Sequence, residues 1–240
     1  MMATIFQQLL RLTALLIACL PTLAWAAAPA ALPDTMAQRL LACTACHAKK
    51  MENSDAFFPH IAGKPAGYLY NQLVNFREGR RQYPLMTYMV DHMPEAYLRE
   101  IDHYFAQQEP VPVPPQATMA SATTLARGRE LVLSGDASIK VPACIACHGQ
   151  KLTGVAPAIP GLLGLPRDYI NAQFGAWKSH LRRANAPDCM ALIATRLSNA
   201  DVAAVSGWLS TQTMAQDSRP AAKLEASLPL ACGGVPPAAS

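Results

Sequence analysis

The chain is poor in charge. Only 15% of its 240 residues are Asp, Glu, Lys or Arg, and the formal net charge at neutral pH is +4. That falls short of the basic surface a polyanion requires, so no nucleic-acid partner is expected. Long apolar runs are missing too. The stretch from Leu12 to Leu20 is too short to cross a bilayer as a helix, which rules out a multi-span membrane protein. No run alternates apolar and polar residues as a half-buried strand does, and 20 prolines argue against a large buried sheet. Heptads and a Gly-x-y period are absent, excluding a coiled coil and a collagen. No phosphate-cradling loop and no Ser/His/Asp arrangement is found. Yet 51% hydrophobic content is too high for a disordered chain, and 240 residues suffice for two domains of about 100 residues each. What the chain does hold is sulfur: seven cysteines and ten methionines.

The N-terminus reads as an address. A weakly basic leader ending at Arg11, a short apolar centre and the small-residue stretch Leu23-Ala24-Trp25-Ala26-Ala27 describe a signal peptide over 1–26, cut after Ala26. The alternative is a lipoprotein box at Leu16-Ile17-Ala18-Cys19, with Cys19 acylated. Either way the mature chain is exported, to a periplasmic location that permits disulfides.

The mature chain is one unit written twice. At an offset of 101, Cys43-Thr44-Ala45-Cys46-His47 returns as Cys144-Ile145-Ala146-Cys147-His148, Pro59 as Pro160, and Arg81 as Arg182. Gly63-x-Pro65-x-x-Tyr68-Leu69-x-x-Gln72-Leu73-x-x-Phe76 returns as Gly164-x-Pro166-x-x-Tyr169-Ile170-x-x-Gln173-Phe174-x-x-Trp177. Three residues then enter the second copy, and at an offset of 104 Met86 maps to Met190 and Met93 to Leu197. The domains are expected at 27–109 and 121–213. A proline-rich linker lies between them at 110–120, and an Ala/Pro-rich tail follows at 214–240. Apolar spacing in each copy is helical, with Pro65, Pro166 and Pro94 suited to first turns and Ser198 with Asp201 to an N-cap.

C-x-x-C-H has a specific chemical meaning. Two thiols one helical turn apart can each add to a haem vinyl group, and the next histidine is held under the iron. A redox dithiol or half a zinc site would use the same cysteines, but two copies in an exported chain, each followed by a methionine, favour haem. The expected attachments are Cys43, Cys46, Cys144 and Cys147 to two covalent haem c groups, with His47 and His148 as proximal iron ligands. Met86 and Met190 are the methionines common to both copies and the expected sixth ligands. A soft thioether favours ferrous iron, and a filled coordination sphere leaves no room for substrate, so no catalytic residue is assigned.

Pro59 and Pro160, each twelve residues beyond its histidine, offer carbonyls to fix the imidazole tautomer, or else mark turns. Arg81 and Arg182 are candidates for haem propionates, or else exposed surface. The aromatics Tyr68, Tyr169, Phe76 and Trp177 read as haem-packing core, and the four histidines without a counterpart (His60, His92, His103 and His180) as structural or exposed. Setting aside Cys19 and the haem cysteines leaves Cys189 and Cys232, which suggest a disulfide pinning the tail beside the loop that carries Met190.

With these residues in place, the chain resembles the di-haem cytochrome c4 family, two class-I-like cytochrome c domains in tandem. The resemblance covers about 34–212 and rests on both C-x-x-C-H motifs, the Gly-x-Pro-x-x-Tyr-x-x-x-Gln segments and the Met86 to Leu98 and Met190 to Ser198 stretches. It implies an all-α fold, each domain wrapped around one haem, with haem edges facing each other across the interface. It also implies electron delivery to a terminal oxidase, dehydrogenase or cytochrome complex, with transient docking at a membrane protein included. Two features depart from it: Ala48 stands where the second copy has Gly149, and the Cys189/Cys232 pair with its long tail is not carried over from the family.

The reading is a non-catalytic electron carrier. The alternatives are a dedicated cytochrome subunit of a periplasmic dehydrogenase and, against the methionine pattern, a di-haem peroxidase. Residues 27–110 sum to a charge of −1 and residues 111–240 to +4, a difference able to steer the two ends toward different partners.

Overall fold

Helices carry the fold. The computed structural model describes residues 32–47, 58–214 and 217–236. The leader with its cleavage point, Cys19 and Ala48 lie outside these. Among the described residues the first half runs through α1 (Met36–Arg39), α2 (Leu41–His47), α3 (Ala66–Arg77), α4 (Pro84–Val90) and α5 (Glu95–Ala106). The second half runs through α6 (Ala122–Leu133), α7 (Ile145–His148), the strands β1 (Gly154–Val155) and β2 (Ile159–Pro160), then α8 (Arg167–Lys178), α9 (Cys189–Arg196) and α10 (Asn199–Ser210). The hairpin pairs Gly154 with Pro160 and Val155 with Ile159, too short to have left a strand pattern in the sequence.

Local chemistry sets the helix starts. Gly63 and Gly164 take positive φ (71° and 73°), a turn that a side chain resists, and the chain then enters α3 and α8 through an extended proline. Pro65, Pro94 and Pro166 are N-caps, one residue outside the first turn where spacing put them. The reason is that each proline carbonyl already accepts the first helical N–H, from Leu69 (3.1 Å), Leu98 (3.1 Å) and Ile170 (3.0 Å). α10 opens with a reciprocal capping box between Ser198 and Asp201.

Two apolar clusters form. Leu40, Leu69, Phe76, Val90, Leu98, Ile101 and Phe105 pack in the first half. Leu131, Val132, Ile170, Phe174, Trp177, Leu197, Val205 and Leu209 are among those that pack in the second. Both lie within one compact unit, residues 35–240.

The halves meet through repeat counterparts. Arg81 and Arg182 form an antiparallel bridge, with Gln82 N–H donating to Leu181 O (2.7 Å) and Arg183 N–H to Arg80 O (2.7 Å). A residue paired antiparallel with its own repeat partner marks a local two-fold relation, the intramolecular version of an isologous interface. Gly67 N–H adds a bond to Pro157 O (2.9 Å). The proline-rich 110–120 segment carries no helix and lies against the second half, where Gln116 N–H bonds Ser210 O (2.8 Å) and its side chain accepts from Arg167 N–H (3.0 Å). No helix among the described residues is long and apolar enough to cross a membrane.

Candidate functional site

A continuous cavity of about 580 Å³ runs between the two halves, lined from both by repeat counterparts. Each C-x-x-C-H motif closes on one side of it. α2 and α7 end at His47 and His148, so the short helix fixes the cysteines and histidine relative to one another. His47 Nδ1 lies 2.8 Å from Pro59 O, and His148 Nδ1 lies 2.8 Å from Pro160 O. A carbonyl only accepts, so Nδ1 carries the proton and the Nε2 lone pair is left available. Burial, partly opposed by the carbonyl bond, lowers the pKa of both imidazoles and keeps them neutral, the form in which a ring nitrogen binds a metal. Cys43, Cys46, Cys144 and Cys147 stand as thiols along the cavity. Burial, then neighbouring Cys147, pushes the Cys144 thiol up to about 12.

Met86 and Met190 also line the cavity, partly buried against the two clusters. The sequence reading put Met190 on a loop, and the structure places both methionines on short helices. Pro84 starts α4, and the Asp188 carboxylate caps α9 by accepting from Ala191 N–H (3.0 Å), so the chain is already helical at the methionine. Met89 shares α4 with Met86 and packs against the first cluster.

Arg81 and Arg182 sit at the junction rather than on an open surface, and Arg182 is 7% exposed. The Arg81 guanidinium donates to Gln72 Oε1 (3.0 Å), Tyr169 OH (3.0 Å) and Gln173 Oε1 (2.8 Å). Arg182 donates to Gln173 Oε1 (2.7 Å) and Gln72 Oε1 (3.2 Å). Each guanidinium also stacks on the aromatic of its own half, Arg81 over Phe76 (4.6 Å) and Arg182 over Trp177 (4.0 Å). Gln72 and Gln173 therefore serve both arginines across the junction. That role was missed in the sequence, although the recurrence of a glutamine in both copies was its signal.

Lys64, a cation where the second half has Leu165, lines the same cavity. None of these three cations has a carboxylate partner among the described residues. The carboxylate that does line the cavity, Asp188, is occupied by the N–H groups of Ala184 and Ala191. Trp177 Nε1 is buried with no acceptor among the described residues. One buried and two half-buried cations without carboxylates, and an orphaned N–H donor, are costly unless a group with carboxylates comes to meet them. Two thiols, a neutral imidazole and a thioether in each half complete the donor set. A haem bearing vinyl groups, iron and propionates fits this lining.

Cys189 and Cys232 are joined by a disulfide across 43 residues of sequence. The tail it fastens supplies Leu228, Leu230 and Val235 to the cavity wall.

No family model matches the chain. It is 35% identical over 200 residues to a thiosulfate dehydrogenase electron acceptor of Thiomonas intermedia, covering 83% of this chain and 88% of that protein. It is 30% identical over 169 residues to cytochrome c4 of Pseudomonas aeruginosa, covering 70% and 82%. Among solved structures, reduced cytochrome c4 of Pseudomonas stutzeri superposes with a TM-score of 0.60 at 26% identity, over 72% of this chain and 95% of that one. The thiosulfate dehydrogenase TsdBA of Marichromatium purpuratum superposes with a TM-score of 0.63 at 27% identity, over 70% of this chain. This chain spans only 36% of the TsdBA chain. Similarity of this extent to proteins of one kind, with a helical fold in common, leads to one conclusion: the chain belongs to the cytochrome c4 family and is an electron-carrying cytochrome with covalently bound haem c, not an enzyme.

Proposed function

We propose that the chain holds two haem c groups, one in each repeat (27–109 and 121–213), and passes single electrons between them and onward to redox proteins outside the cytoplasm. In this reading Cys43 and Cys46 hold the first haem and Cys144 and Cys147 the second. His47 with Met86, and His148 with Met190, supply the axial donors. The observation that carries it is the shared lining: both repeats bring the same four donor positions to one cavity. When bound, the haem iron supplies a one-electron ferric/ferrous couple.

The protein's own residues do the rest. The Pro59 and Pro160 carbonyls hold each imidazole in one tautomer and orientation. Apolar side chains keep water from the metal. Arg81, Arg182 and Lys64 would balance propionate charge at the junction, and Trp177 Nε1 would donate a hydrogen bond to a propionate oxygen. Haem quantification on protein secreted with its leader tests the reading: two haems per chain are expected, and one in a Cys144→Ser/Cys147→Ser chain.

A second reading, the acceptor subunit of a dehydrogenase acting on a sulfur compound, is favoured by the relative named as a thiosulfate dehydrogenase electron acceptor. Rapid mixing of the ferric protein with a thiosulfate dehydrogenase and thiosulfate separates the two. Reduction within milliseconds supports the acceptor role, and reduction no faster than that of an unrelated ferric cytochrome leaves the general carrier.

A further inference from the structure

The methionine helices are repeat counterparts, yet their outer faces differ. On α4, Leu85 is 47% and Tyr88 is 81% exposed. The position matching Leu85 on α9 is Cys189, and there the face is fastened to the tail through Cys232. The tail reaches that point by a long path. Arg219 pairs with Glu109 at the end of the first half. Ala221 joins the hairpin, accepting from Ala156 N–H (2.8 Å) and donating to Gly154 O (2.9 Å). Leu228 and Leu230 then turn into the cavity wall.

Beyond the disulfide, Gly233 N–H bonds Pro187 O (2.9 Å), so close that a Cβ on Gly233 would fall 2.1 Å from Ala186 O. Asn71 of α3 donates to Gly234 O (2.7 Å). Three consecutive tail residues thus join the turn before Met190 to a helix of the other half. No described segment does the same for Met86.

We propose that residues 217–236 are a disulfide-latched cover on the second half's side of the cavity, with Cys189 and Cys232 as positioning residues that keep Met190 in place. The second centre is then the closed one, and the first is the one able to release its methionine. This rests on the reading of Met86 and Met190 as axial ligands. An isolated methionine helix of seven or eight residues has little stability of its own and opens locally. A covalent latch one residue from Met190, tied in turn to α3, removes most of that opening.

The test uses full-length holoprotein, wild type and Cys189→Ser/Cys232→Ser. Two readouts are followed, the sulfur-to-iron charge-transfer band of the ferric protein and carbon monoxide uptake by the ferrous protein. The wild type is expected to show the band at both centres and to take up carbon monoxide slowly, at no more than one centre per chain. The variant is expected to bind at both, with uptake at the second centre faster by about tenfold or more, since even part of a disulfide's loop-closure stabilisation would raise local opening that much. Equal uptake and equal bands in the two proteins would overturn the cover. A wild type that lacks the band at the second centre would instead overturn the ligand reading beneath it.

Should the variant fail to fold, wild-type holoprotein cut after the exposed Lys223 keeps its last segment through Cys232 until a phosphine reduces the disulfide. Release of that segment, followed by reoxidation of the haem, should open the second centre. Release with no change in band or uptake rejects the proposal.

Discussion

The two halves share donors but not supports. The first places Phe76, Lys64, Leu85 and Asp102 where the second has Trp177, Leu165, Cys189 and Ser206. The second also holds a salt-bridge network, Arg127 to Asp136 (2.7 Å) and to Asp201 (2.9 Å), that ties α6 to α10 and to the turn between α6 and α7. Duplication therefore preserved the chemistry at the cavity, while the surroundings diverged toward a second half that is stapled and charge-braced. Axial donors cannot vary without losing the metal, but what holds them can. Two sites with the same proposed ligands are thereby made unequal.

The largest effect expected from breaking this inequality is on stability. Losing the Cys189–Cys232 disulfide, which closes a loop of 43 residues, should cost about 4 kcal/mol by loop-closure entropy. Calorimetry of the variant should show the second half melting earlier, with a smaller shift of the first half, to which the tail is tied through Asn71. Next comes the junction. Arg182→Leu removes the bonds to Gln72 and Gln173 and one of the cations proposed to face the propionates, a loss of about 3 kcal/mol in the holoprotein. Chemical denaturation checks it, and an unchanged midpoint would show the guanidinium to be idle.

Trp177→Phe copies the first half. If Nε1 meets a propionate, the change costs about 1 kcal/mol in the holoprotein, and a gain in stability would mean that the donor stays orphaned.

Two pH effects are smaller and opposite in sign. Asp102 is 4% exposed, and burial pushes its carboxyl above the usual carboxylate range. A raised folded pKa gives stability below the unfolded value that is lost as pH rises through the folded one. Asp102→Ser, which copies Ser206, should therefore raise Tm at pH 7 and have no benefit below pH of about 3. Asp136 behaves in reverse. Bonds from Ser138 and Arg127 pull its pKa from 3.8 to about 2, so its contribution is present above the unfolded value and fades as pH falls toward 2. Acid titration of Asp136→Asn should show that slope removed.

The proposed haem donors were legible because covalent attachment and iron ligation demand particular residue types at a fixed spacing, which a duplicated sequence displays twice. The all-helical class was legible from apolar spacing, and the Ser198/Asp201 cap from its local geometry. The hairpin was not, since two residues per strand leave no period. Nor was the junction. Gln72 and Gln173 recur like core positions, and only docking of the halves turns each toward both arginines. Arg81 and Arg182 read as surface or propionate partners, because one chain position carries no sign that it will pair with its own repeat.

Residue identity alone thus marked out the atoms proposed to grip a porphyrin, since bond formation depends on element and spacing along the backbone. Three-dimensional packing decided how the halves share buried charge and which side of the cavity the tail covers, because those relations join residues far apart in the chain and exist only once the helices have closed on one another.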